Sequence, residues 1–203
     1  MSSRGYIKGL PYTFGAAKPE ESEHNLFWDS TNSRFNWAKY KTDNNIAANA
    51  VQIYLGSNEL QKDNTENVGY IKEMVDYIIQ DEGSDFPIFV VNPINRATQD
   101  GLGANVNADG FAGLSGMWDY EERYKIMDLT QRLDNAFKDY SNVHMVNLAI
   151  THDDEYNFGT QETPVNPRAS QKEYLPVDGI HPQVQGYFQM ADVMYSVYCA
   201  FLD

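Results

Sequence analysis

The sequence predicts an α/β layered fold with a parallel sheet and right-handed crossovers, and three observations predict it. Short apolar runs bounded by turn residues alternate with longer segments of helical apolar spacing, in the order strand, helix, strand, helix, strand, loop, helix. One of the short runs, Phe86 to Val91, is apolar throughout, as expected of a parallel strand covered on both faces. With 203 residues, 42% of them hydrophobic, the chain can build a sizeable core, so residues 1–203 are expected to form a single domain.

The elements follow in order. Residues 11–49 are rich in Pro, Gly, Asn and charged residues and read as a long loop pinned by Phe27, Trp28, Phe35, Trp37 and Tyr40. Ala50 to Leu55 reads as a short strand on the alternation of Val51, Ile53 and Leu55, ended by Gly56. From Glu66 to Glu82, the spacing of Val68, Ile71, Met74, Val75, Ile78 and Ile79 is helical, with Gly83 placed as the stop. After the strand Phe86 to Val91, residues 92–119 form a long Gly- and Asn-rich connection. A second helix is marked by Ile126, Leu129, Leu133, Ala136, Phe137 and Tyr140, and the strand His144 to Ile150 follows it. A polar loop from Gly159 to Lys172 leads to a third helix carrying Tyr187, Met190, Met194, Val197 and Phe201. Ligands of such sheets bind beyond the carboxyl ends of the strands, so the loops after Leu55, Val91 and Ile150 are expected at one rim.

Charge narrows the partners. A formal net charge of −14 opposes encounter with nucleic acid or an anionic membrane surface. Residues 1–20 contain no apolar run of signal-peptide length, and no stretch approaches a membrane span. The compartment stays open, an extracellular or virion-associated one included. Cys199, the single cysteine, cannot form an internal disulfide and lies in an apolar run, where an inert thiol is expected.

Two segments could carry chemistry. In Asp178-Gly179-Ile180-His181-Pro182, an Asp three residues before a His can accept the proton on Nδ1, fix the tautomer and leave Nε2 as a general base. A turn Asp beside a surface His is the plainer alternative. In Leu55-Gly56-Ser57-Asn58-Glu59, an Asn where a strand ends can aim its amide at the rim and donate to a developing oxyanion; otherwise it is a turn residue. His152, Asp153, Asp154 and Glu155 could be read as metal ligands, but neighbours on a strand end diverge, so a rim cap is expected and no metal or other cofactor. Trp118, with Asn95 and Arg96, could line a sugar-binding rim, or anchor the long loop.

Taken together, these residues resemble the SGNH hydrolases, also called GDSL esterases. Gly56 to Glu59 is similar to the family's Gly-x-Asn-Asp block, with Glu59 in place of Asp, and Asp178 to His181 is similar to its Asp-x-x-His block. Further similarity lies in Asp153 to Asn157 and in Gly186, Tyr187, Gln189, Ala191 and Asp192. Ser3-Arg4-Gly5-Tyr6 resembles the family's glycine block. The resemblance implies a three-layer, flavodoxin-like sandwich in which His181 is the general base, Asp178 its orienter, and Asn58 with the Gly5 N–H the oxyanion hole. It also implies a first strand ending in Gly-Asp-Ser, which this chain lacks ahead of Gly5. Asp29-Ser30 and Ser115 have no buried strand behind them. The missing strand belongs beside the one ending at Asn58, so an upstream segment or a second chain is expected to complete the sheet and bring the serine. The implied activity is hydrolysis of acyl esters, carbohydrate O-acetyl groups foremost, through an acyl-enzyme. The alternative is a non-catalytic carbohydrate-binding or structural module built on the same fold, as in a phage tail or a cell-surface assembly.

Overall fold

The computed structural model describes residues 3–9, 25–57, 63–95, 120–154, 156–164, 168–176 and 181–202. It contains a three-stranded parallel sheet of order β3-β4-β5, formed by β3 (Val51–Tyr54), β4 (Ile88–Val91) and β5 (Val143–Val146). Register pairs Val51 with Ile88 and Tyr54 with Val91, so β3 and β4 end at the same rim. All four side chains of β4 are buried, as its continuous apolar run predicts. On β3 only Ile53 is buried.

The helices α3 (Asn64–Glu82), α4 (Tyr120–Phe137) and α6 (Val184–Leu202) lie where the spacing places them. Asp63 caps α3 by accepting from the Thr65 N–H at 2.7 Å. Gly83 ends it at φ 99°, a backbone conformation that suits glycine, with its N–H on the Ile79 carbonyl at 2.8 Å. Ile71, Met74, Val75 and Ile78 form the buried stripe of α3; Ile126, Leu129, Leu133 and Phe137 form that of α4. No helix among the described residues is long and apolar enough to cross a membrane.

Three expectations need correction. The segment 28–44 is not a loop. It holds a hairpin, β1 (Trp28–Asp29) against β2 (Arg34–Phe35), and α2 (Trp37–Asn44), capped by the Asn36 side chain on the Lys39 N–H at 2.9 Å. Phe27 gathers this region, stacking on Phe35 at 5.5 Å and on Trp37 at 6.1 Å. The strand expected from His144 to Ile150 stops at Val146, and Leu148–Thr151 forms a short helix, α5, closed by the His152 N–H on the Leu148 carbonyl. The polar loop Gly159 to Lys172 contains β6 (Thr160–Pro164), antiparallel to β7 (Lys172–Pro176). Short elements held by specific side chains leave little periodicity to read.

The chain divides into two compact units. Residues 1–92 and 129–145 form the first; residues 93–128 and 146–203 form the second. In the first, α1 (Ser3–Lys8) is fixed by the Ser3 hydroxyl on Asn67 Oδ1 at 2.8 Å and by Asn25, whose amide donates to the Gly5 and Tyr6 carbonyls at 3.1 Å each.

Candidate active site

In the second unit, His181 stands exposed immediately before α6. The residue after it, Pro182, is buried and forms an isolated antiparallel bridge with Phe158. Around that bridge the segment 153–158 and the start of α6 are laced together. The Gln183 N–H donates to the Asn157 carbonyl at 2.8 Å, and Gln183 Nε2 to the Tyr156 carbonyl at 3.0 Å. Gln189 Oε1 accepts from the Asp153 N–H at 2.7 Å and from Asn157 Nδ2 at 2.5 Å. Gly186 makes the close approach feasible. A Cβ there would stand 2.6 Å from Pro182 Cβ and 2.9 Å from the Asn157 carbonyl oxygen. The backbone that carries His181 is therefore anchored by Phe158, Asn157 and Gln189, and His181 itself is an exposed residue.

His152 is built differently. It is 7% exposed, its ring meets Phe158 edge to face at 5.7 Å, and neither ring nitrogen has a hydrogen-bond partner among the described residues. Burial lowers its pKa below the ordinary 6.5; the nearby Asp154 and Asp153 carboxylates partly oppose this. Asp154 pairs with Arg123 at 3.3 Å, and Asp153 Oδ1 accepts from the Tyr156 N–H at 3.0 Å. These side chains are thus engaged in packing and turn formation.

The remaining candidates separate by position. Asn95 donates its amide to the Ala149 carbonyl at 2.8 Å, tying the segment after β4 to α5 within the second unit. Gly5 lies in α1 of the first unit, buried, with its carbonyl held by Asn25. Asn58, Asp178, Arg96, Trp118, Glu59, Glu155 and Ser115 lie outside the described residues. Gly56, at φ 109°, and Ser57 lead the chain away from the end of β3.

The hairpin settles the surroundings of Asp29-Ser30. Asp29, 4% exposed, accepts from Asn32 Nδ2 at 2.7 Å, Asn36 Nδ2 at 2.9 Å and the Thr31 N–H at 2.9 Å. The Asn32 and Asn36 side chains, followed by the backbone donors of Asn32 and Thr31, pull its pKa from 3.8 down to about 2. This carboxylate organises a turn, and Ser30 sits exposed in that turn, at the tip of the hairpin rather than at the end of a strand of the parallel sheet.

Sequence reasoning passed over two features. Asn157, Gly186 and Gln189 entered only as a resemblance, although a glycine early in a helix and a neighbouring Gln are signals of close packing. The run Asp29-Ser30-Thr31-Asn32 carries the composition of an Asx turn.

The fold and these positions define a mixed α/β protein with a parallel sheet. No family model matches the chain, and no curated protein matches its sequence. Among solved structures it is similar to that of a candidate platelet activating factor from Streptococcus pneumonia, with 12% identity and a TM-score of 0.49 over 71% of this chain. It is also similar to a candidate GDSL-like lipase from Bacteroides ovatus, with 15% identity and a TM-score of 0.48 over 77% of this chain. The chain spans 58% and 37% of the lengths of those two structures.

Proposed function

We propose that this chain is the histidine-bearing part of an SGNH-type serine esterase, with its domain completed by a segment or chain that brings the nucleophile. The observation that carries the reading is the setting of His181: an exposed histidine on a backbone locked by Pro182, Phe158, Asn157 and Gln189. A general base needs this combination, because its ring must reach the substrate while its support does not move.

In the proposed reaction the serine Oγ attacks the ester carbonyl as His181 Nε2 takes its proton, with Asp178 holding Nδ1. Asn58 and the Gly5 N–H stabilise the oxyanion. The histidine proton leaves with the alcohol, here a sugar hydroxyl, and the acyl group stays on serine. Water, deprotonated by His181, then releases the acid and regenerates serine. The domain is of the flavodoxin-like, three-layer kind, and carbohydrate O-acetyl esters are the proposed substrates, with Asn95, Arg96 and Trp118 at the sugar rim.

Hydrolysis of p-nitrophenyl acetate tests this. The 203-residue chain alone should be silent, and addition of a segment carrying an apolar strand and Gly-Asp-Ser should give turnover that His181→Ala abolishes. Turnover by the chain alone, lost in Ser57→Ala or Ser30→Ala, would overturn the claim of an external nucleophile.

A further inference from the structure

The last helix, α6, carries two apolar stripes. On one side Gly186 and Met190 are buried and Val193 and Val197 half-buried. A second stripe, Val184, Phe188, Ala191, Tyr195, Tyr198 and Leu202, advances in alternating steps of four and three, the a/d spacing of a helix that packs on another helix. At about 100° per residue it lies on the side of α6 opposite Met190. That side is open: Val184 is 60% exposed, Phe188 65%, Tyr195 69% and Leu202 47%. Tyr187 and Phe201 flank the stripe and are each at least half exposed. A helix face left to water is normally polar, and this stripe has no polar group beyond two phenols.

The stripe is self-complementary. Laid antiparallel against itself about a two-fold axis level with Val193, it sets Val184 opposite the partner's Leu202 and Phe188 opposite the partner's Tyr198. Ala191 then faces the partner's Tyr195, small against large. Tyr187 meets the partner's Phe201 in the flanking row. The area suffices. At about 150 to 250 Å² per aromatic side chain, the exposed fractions of Tyr187, Phe188, Tyr195 and Phe201 alone give roughly 350 to 600 Å². A stable interface takes about 800 Å² from each partner, and Val184, Ala191 and Leu202 supply part of the remainder. Charge allows the pairing too. A net charge of −14 makes two copies repel, but Asp192 is the one charged residue of the 19 in α6. With no Lys or Arg, the helix also offers nothing to the phosphates of a lipid surface.

We infer that α6 is a docking surface for a second copy of this chain, and that the two helices pair antiparallel through the Val184 to Leu202 stripe. The inference is independent of the esterase reading. It has a signature in Asp192, which the antiparallel arrangement sets against the partner's Asp192 across the axis, whereas a parallel one does not.

Sedimentation equilibrium of the full chain should show dimer predominating above about 10 µM. The double variant Phe188→Glu, Tyr195→Glu, altered only at exposed positions, should stay monomeric with an unchanged circular dichroism spectrum. Native mass spectrometry of wild type mixed equally with Asp192→Lys should show more mixed dimer than random pairing yields; this readout stands even where the double variant does not fold. A monomer at all concentrations, a dimer that survives the folded double variant, or random pairing of wild type with Asp192→Lys would overturn the inference. So would a monomeric chain that floats with phosphatidylcholine vesicles through the same two side chains, or a dimer that dissociates when a Gly-Asp-Ser segment is added.

Discussion

Gly186 has no room for a side chain, and the reason is backbone. The Asn157 carbonyl oxygen would lie 2.9 Å from a new Cβ, and that peptide is itself held by the Gln183 N–H. Gly186→Ala should therefore destabilise by about 1 to 3 kcal/mol, as overpacking does. Gly69, inside α3, is its control: a Cβ there meets nothing within 4 Å, so Gly69→Ala should stabilise by up to about 1 kcal/mol. Opposite shifts in thermal midpoint for the two variants check the pair. His152 supplies a pH test. Its folded pKa lies below the unfolded value of 6.5, so the unfolded chain binds the proton more readily. Its contribution is complete above about pH 6.5 and is lost as the pH falls through the folded pKa. With Asp153 and Asp154 the charged groups beside it, the midpoint of the wild type should drop more between pH 7.5 and 5 than that of His152→Leu. An equal drop in both would contradict this account of the buried ring.

At the scale of elements, legibility followed periodicity. β4 and the stripes of α3 and α4 are long or uniform enough for apolar spacing to declare them. The hairpin and α2 are not, because they rest on individual side chains: Asp29 gathering Asn32 and Asn36, and Asn36 capping α2. Leu148 to Thr151 misled for another reason, since a short apolar run suits strand and helix alike. Asn36→Ala should cost about 1 kcal/mol or more by removing the cap. Asn36→Asp keeps the cap acceptor but sets a second carboxylate against Asp29, so it should not restore full stability near pH 7. Chemical denaturation of the two variants would show whether Asn36 works as a cap alone, in which case Asp would substitute without loss. Along α6, Tyr187, Phe188, Tyr195 and Phe201 are all at least half exposed.

At the scale of the whole molecule, the parallel sheet and its order of elements were legible from the alternation of strand and helix signals. The candidate site was legible in part. The His-Pro pair could be singled out by spacing, but its support could not, because Phe158, Asn157 and Gln189 reach it only through tertiary contacts. The central claim, that the reactive serine is not one of the 203 residues, has a direct test in covalent labelling. A fluorophosphonate reacts with an activated serine, and intact-mass spectrometry locates the adduct. Labelling the chain together with an added Gly-Asp-Ser segment should place the adduct on that segment, and His181→Ala should suppress it. An adduct on the 203-residue chain, formed without the segment and lost in His181→Ala, would contradict the account.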